Sequence, residues 1–130
     1  MRKQYHTRTV GGERHTWDVH RLVRLSRGVP VEWIAIESLA EIDTLWWYQG
    51  EDRFPTPRSI AVHLRLVAEA DLKWPILICG EGRLMDGMHR VLKALVEDRC
   101  KIAAIRLNPT PEPDFVNVDL QALPYPDEEV

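Results

Sequence analysis

The sequence predicts a single α+β domain in which helices pack against one small mixed sheet. The length of 130 residues suits one domain. A hydrophobic fraction of 45% and a charged fraction of 28% are typical of a globular chain. Strand-like and helix-like segments follow one another in the order strand, strand, helical turn, helix, strand, strand, helix, strand, which is typical of a mixed architecture.

Two strands and a helical turn are predicted first. Alternating apolar residues predict a strand over 17–25, and the run VEWIAI predicts a second strand over 31–36. Ser38 and Glu41 match a capping box, so a helical turn is expected over about 39–47.

A helix is predicted from Pro57 to about residue 70. Thr56 is a suitable N-cap, and proline suits the first helical position. The buried face of this helix is expected to comprise Ile60, Leu64, Val67 and Ala68. Its solvated polar face is expected to include Arg58, His63, Arg65 and Glu69.

The second half of the chain predicts a hairpin, a helix and a last strand. The apolar run at 75–79 predicts a strand that is buried on both faces, and Gly80-Glu81-Gly82 predicts the turn to a partner strand at 83–85. A helix is expected over about 88–97, and KIAAIRL predicts a strand over 101–107. The buried face of the helix is expected to comprise Met88, Val91, Leu92, Leu95 and Val96.

Composition divides the chain into three regions. Residues 1–15 are polar and basic, and we expect a flexible segment there. Residues 16–107 form the predicted domain. Residues 108–130 hold five of the nine prolines and six acidic residues but no lysine or arginine, so we expect a Pro-rich acidic arm with a disordered end. The basic segment is either a nucleic-acid contact or a solvated terminus.

The sequence also indicates several absences. No apolar run approaches the roughly 18 residues of a membrane span, and the N-terminal segment lacks the apolar core of a secretory signal. We therefore expect a cytoplasmic protein with no membrane partner. Cys79 and Cys100 form neither a CxxC pair nor a Cys/His cluster, so both are interpreted as reduced structural thiols and no metal site is assigned.

The candidate site is the segment Asp86-Gly87-Met88-His89-Arg90 at the start of the second helix. The apolar stripe of that helix directs His89 and Arg90 away from the core, into a first turn with free backbone N–H groups and the positive end of the helix dipole. This arrangement suits an anion, most plausibly a phosphate. Asp86 is interpreted either as the helix N-cap or as a group that orients His89 or holds a metal. Arg90 is interpreted either as a bidentate phosphate ligand or as one partner of a surface salt bridge, to Asp86 or toward Glu97.

Four other residues are secondary candidates. Arg58 and His63 belong to the predicted polar face of the preceding helix, which is otherwise a solvated surface. Trp47 and Tyr48 are either rings on which a base stacks or anchors of the core. A base or other group of the ligand is expected toward the loop over 48–56.

The run PILICGEGRLMDGMHRVLKAL, followed by the strand KIAAIRL, resembles the ParB/sulfiredoxin superfamily. The resemblance covers about 31–107, although the first half is similar only in the order of its elements. It implies a ParB/sulfiredoxin-like fold with a phosphate-binding turn, in which Gly87, His89 and Arg90 match the phosphate-contacting residues. It also implies ATP, ADP or CTP as the ligand, with Mg²⁺ as a further cofactor.

Two departures from the superfamily narrow the expected function. Sulfiredoxin places its reactive cysteine immediately before the His-Arg pair, where this chain has Met88, and a thioether cannot carry out that chemistry. ParB proteins have Gly-Glu-Arg-Arg at this turn, where this chain has Gly87-Met88-His89-Arg90. Because sulfiredoxin chemistry is excluded and the phosphate-binding turn is shared, we expect a ParB-like protein that binds a nucleotide or phosphate. The alternatives are a nucleotide-dependent phosphotransferase or nuclease of the same fold, and a nucleic-acid-associated accessory protein.

Overall fold

The structure, a computed structural model, describes residues 3–50 and 53–123. Within these residues the chain forms three α-helices and two sheets, which confirms the α+β class. The prediction of one sheet is wrong, because the N-terminal and C-terminal parts of the chain build a second sheet. None of the described helices is long and apolar enough to cross a lipid bilayer.

The small sheet consists of β1 (Tyr5–Val10), β2 (Glu13–Asp18) and β7 (Phe115–Val116), with β2 in the middle and both pairings antiparallel. The flexible segment predicted over 1–15 is therefore wrong from Tyr5 onward. The β1–β2 turn contains two consecutive glycines with positive φ, and this permits a tight hairpin.

Helix α1 (Val19–Ser26) replaces most of the strand that was predicted over 17–25. The side chain of Asp18 accepts a hydrogen bond from the backbone N–H of His20 and so caps the helix. Val19, Leu22 and Ser26 are buried at helical spacing. The positions of the apolar residues in this short segment fit both a strand and a helix. The Asp18 cap favours the helix.

The main sheet contains β3 (Glu32–Ala35), β6 (Lys101–Leu107), β4 (Ile76–Cys79) and β5 (Leu84–Asp86), in that order. β4 and β6 are parallel, and the other two pairings are antiparallel. All four residues of β4 are buried, as predicted for a strand covered on both faces.

Between β3 and α2 the chain makes two 3₁₀ turns, Ile36–Ser38 and Ala40–Asp43. The second confirms a helical turn within the expected range of about 39–47, although it ends at Asp43. The predicted capping box is wrong. The Ser38 hydroxyl donates to the Ala35 carbonyl, and the buried Glu41 carboxylate accepts from the backbone N–H of Leu84. Glu41 thus joins this segment to β5.

Helix α2 (Pro57–Glu69) begins as predicted, with the Thr56 side chain accepting from the N–H of Ser59. Its predicted faces are wrong in part, although Arg58, Arg65 and Glu69 are exposed as expected and Val67 is turned inward. The residues turned toward the protein are Ser59, His63 and Val67, whereas Ile60 and Leu64 are 43% and 64% exposed. No residue of the helix is buried.

Helix α3 (Met88–Val96) buries Met88, Val91 and Ala94, and it packs Leu92 and Leu95 partly against the core. Val96, predicted on the buried face, is 76% exposed because it lies at the end of the helix.

The main sheet separates two apolar cores. Ile76 and Ile78 point to the side of α3, while Leu77 and Cys79 point to the side of α1 and the small sheet. Successive residues of a strand alternate between faces, so one short strand serves both cores.

The predicted C-terminal arm is docked as far as it is described. Trp17 Nε1 donates to the Pro111 carbonyl at 2.8 Å, and Asp114 accepts from the N–H of Asp18 and from Arg21. The disordered end predicted beyond residue 123 lies outside the described residues.

Candidate functional site

The corner between β5 and α3 is built on Gly87, which has φ +114° and occupies the N-cap position of the helix. Glycine supplies no side-chain acceptor at this cap, so among the residues that the structure describes the first turn of α3 has no side-chain cap. The N–H groups of Met88, His89 and Arg90 precede the first i→i−4 bond, which Val91 donates to Gly87. The corner therefore presents backbone donors at the positive end of a helix dipole.

The missing side chain of Gly87 makes room for packing. A Cβ atom there would stand 2.7 Å from Cγ2 of Ile76 and 3.1 Å from Nη2 of Arg90. Positive φ and this close approach both require glycine at the corner.

Asp86 and Arg90 form an ion pair within the corner. Arg90 Nη2 lies 2.9 Å from Asp86 Oδ2, and each side chain is 18% exposed. Arg90 Nη1 also donates to the carbonyls of Pro75 at 2.6 Å and Trp74 at 3.2 Å. Asp86 is therefore not the N-cap. Burial raises the pKa of its carboxyl, and the adjacent guanidinium partly offsets that rise.

His89 is part of a stack of three rings. Its Nε2 lies 2.9 Å from Nδ1 of His63, so one imidazole donates and the other accepts. The Trp47 ring stacks on both, with centroid distances of 3.8 Å to His63 and 4.7 Å to His89. Burial lowers the pKa of His63, and burial with His63 and Arg90 nearby lowers the pKa of His89 to about 4. Both rings are therefore neutral at pH 7.

A cleft of about 440 Å³ lies beside this stack. Its walls combine aromatic rings, hydroxyls and one guanidinium, contributed by Trp47, Tyr48, Arg53, Phe54, Thr56, Ser59 and His63. The Tyr48 hydroxyl lies 3.0 Å from Oγ of Ser59, which ties the loop to α2. Phe54 is 64% exposed and offers a free ring face.

The structure brings together Trp47, Tyr48, His63 and His89 but not every predicted residue. Arg58 is exposed and does not line the cleft, and the Met88 side chain is 5% exposed within the core, so only its N–H is available. Arg53 and Phe54 line the cleft from the loop over 48–56, toward which a base is expected, but no motif distinguishes either residue. The pairing of His63 with His89, 26 positions apart, has no sequence signal.

Within the described ranges, no group of three or more His, Cys, Asp or Glu side chains is arranged to hold a metal ion. Comparison of the chain with protein-family models, with curated proteins and with solved structures gives no match. The site must therefore be interpreted from its own geometry.

Proposed function

We propose that this protein binds a nucleotide or a similar phosphate-bearing ligand, with the phosphate at the first turn of α3 and the base in the aromatic cleft. The observation that carries the proposal is the start of α3, which lacks a side-chain cap. His89 in this first turn stacks on Trp47, and Trp47 also lines the cleft. One end of this site suits an anion and the other suits a flat ring.

The anion end depends on backbone N–H groups and His89 more than on Arg90. Arg90 is engaged with Asp86 and two carbonyls, so its contribution is to neutralise a carboxylate that would otherwise repel a phosphate. When Nε2 of His89 accepts from Nδ1–H of His63, the neutral His89 ring carries its proton on Nδ1 and donates one hydrogen bond to a phosphate oxygen. A bound phosphate would also favour the protonated imidazole and raise its pKa.

The ring end depends on Phe54, Trp47 and Tyr48. Base stacking on an aromatic side chain contributes about 1–3 kcal/mol and tolerates any base. Arg53 adds a guanidinium on the same wall, suited to a phosphate oxygen or to a cation–π contact.

The resemblance to the ParB/sulfiredoxin superfamily supports the same ligand class, with ATP, ADP and CTP as candidates and Mg²⁺ as their counterion. A cytoplasmic location belongs to the proposal, and the two free thiols, Cys79 and Cys100, suit a reducing compartment.

Phosphotransferase and nuclease activities of the same fold are the alternatives. Release of phosphate or of nucleotide products from the bound ligand would be measured alongside binding.

The test is a thermal-shift and calorimetry series with ATP, ADP, CTP, pyrophosphate and phosphate, each with and without Mg²⁺. A specific ligand raises the apparent stability by mass action. We expect at least one nucleotide to stabilise the parent protein. His89→Ala and Phe54→Ala should each weaken that binding by about tenfold or more, which corresponds to the loss of about 1.4 kcal/mol.

Arg65→Ala is the matched control, because Arg65 is exposed on α2 and does not line the cleft. It should bind like the parent. A series in which no compound stabilises the protein, or in which His89→Ala binds normally, contradicts the proposal. Arg90→Ala is not a clean test, since it leaves the Asp86 carboxylate buried without its partner.

A further inference from the structure

Helix α2 lies outside both cores. Its thirteen residues include none that is buried, although it contains seven aliphatic side chains. It is attached through its inner side, where His63 meets His89 and where Lys93 of α3 donates to the carbonyls of Ala68 and Ala70. Within residues 3–50 and 53–123, no neighbour on its outer side accounts for this apolar content.

The outer side carries a continuous apolar stripe. Pro57, Ala61, Leu64 and Ala68 follow one another at spacings of four, three and four residues, and all are exposed. This is the spacing of the contact seam in paired helices. Leu64 is 64% exposed, and Ile60 beside it is 43% exposed. The two alanines, seven residues apart, leave room for the backbone of another helix to approach.

Opposite charges lie beside the stripe at its two ends. Arg58 is in the first turn of α2 and Glu69 is its last residue, and both are exposed. Neither side chain forms an ion pair with another residue in the ranges 3–50 and 53–123. By helical geometry the two residues project on nearly the same side of the helix, next to the alanines.

We propose that α2 docks against α2 of a second copy of this chain, as an antiparallel pair around a two-fold axis. With the axis between residues 63 and 64, the two Leu64 side chains meet beside it. Arg58 of each copy then faces Glu69 of the other, because residues on the same flank approach each other across an antiparallel pair. The interface is isologous, as a closed dimer requires.

Self-complementarity selects a second copy over a different partner. In a parallel pair around a two-fold axis, the flank that carries Arg58 and Glu69 would lie on opposite edges of the interface in the two copies. Ion pairs between the copies then form only in the antiparallel arrangement, so the charges also determine the orientation. The stripe lies on the other side of the helix from Ser59 and His63, and the dimer therefore leaves the proposed ligand cleft open. Ligand binding and dimerisation are independent properties with separate tests.

The size of the contact indicates its strength. One pair of thirteen-residue helices buries less than the roughly 1,200–2,000 Å² of a stable interface. We therefore expect a reversible equilibrium, with monomers at about 1 µM and dimers as the concentration approaches about 1 mM.

Sedimentation equilibrium of the full chain over this concentration range tests the proposal. Leu64→Glu should remove the dimer, because it places a charge beside the axis. Leu66→Glu is the matched control, since Leu66 is 40% exposed on the same helix but lies on the opposite side from the stripe. It should leave dimerisation unchanged.

The charge pair is tested by exchange. Arg58→Glu and Glu69→Arg should each weaken the dimer at least fivefold, and the double variant should restore it. A parent protein that stays monomeric up to about 1 mM overturns the proposal and leaves the face to a different protein. A dimer that survives Leu64→Glu, or a double variant as weak as the single ones, also overturns it.

Discussion

Gly87 shows how one residue can serve packing and a candidate site together. The space that its side chain would fill is taken by Ile76 of the core and by the guanidinium of Arg90. The same residue ends β5, opens α3 and leaves the first turn of the helix without a side-chain cap. A change there is expected to act on stability before it acts on any ligand.

Gly87→Ala should destabilise the protein by about 2–4 kcal/mol, from the cost of positive φ and from overpacking against Ile76. Urea denaturation of the variant and the parent measures this. Gly28→Ala is the control, because Gly28 has φ +80° but nothing within 4 Å of an added Cβ. It should cost about 1–2 kcal/mol, the backbone cost alone. Equal losses at the two positions would contradict the packing argument.

At this scale the sequence predicts residue types better than contacts. The glycine at the corner was recognisable, because a strand-to-helix turn favours positive φ. Asp86 is not the N-cap, and its ion pair with Arg90, one helical turn later, is the alternative that the sequence also offers for Arg90. His63, expected on the solvated face of α2, lies on the inner one. Its position depends on Trp47 and His89, and local sequence does not specify that contact.

Among the elements, α1 is the clearest case in which a capping residue decides the structure. The segment 19–26 is apolar at spacings that suit either a strand or a short helix. Asp18 ends β2 and supplies the side-chain acceptor for the N–H of His20. It also pairs with Lys3 at 2.8 Å, so it joins the hairpin to the helix.

Asp18→Ala should cost about 1–2 kcal/mol, because the cap and the partly buried ion pair are lost together. Asp18→Asn keeps the capping oxygen but removes the charge, and it should recover more than half of that loss. Thermal unfolding followed by circular dichroism compares the three proteins. If the asparagine variant is as unstable as the alanine variant, the ion pair and not the cap stabilises α1.

The elements of the second half were predicted closely. β4, β5, α3 and β6 follow one another with short turns, and their apolar patterns are set by local contacts. The orientation of α2 was predicted wrongly, since its buried side is determined by α3 through His89 and Lys93. A hydrophobic stripe indicates a surface that is to be covered, but it does not say whether the covering residues belong to the same chain.

In the whole molecule, three histidines, His6, His63 and His89, occupy buried or half-buried positions around the main sheet. His6 is stacked between Trp17 and Trp46, and burial together with Arg8 and Arg83 lowers its pKa to about 3. His63 and His89 stack on Trp47, and their pKa values are also lowered by burial. The folded protein therefore holds these rings neutral, while the unfolded chain protonates them near pH 6.5.

Stability should fall as the pH drops below about 6.5, because the unfolded state then binds protons that these histidines do not take up in the folded state. The loss attributable to His89 should continue to about pH 4, where its folded form also becomes protonated. The free energy of unfolding in urea at successive pH values measures the slope. His89→Gln should give a shallower slope than the parent over this range, and identical slopes would contradict the lowered pKa.

The pairing of β2 with β7 has a consequence for the order in which the protein is made. Residues 13–18 leave the ribosome long before residues 115–116, yet the outer strand they require is among the last parts of the described chain to appear. Until then one side of β2 remains an open template for backbone hydrogen bonding, and Trp17 lacks the carbonyl that its indole contacts. During synthesis, the open edge of β2 is therefore a site at which the nascent chain can mispair until β7 is made.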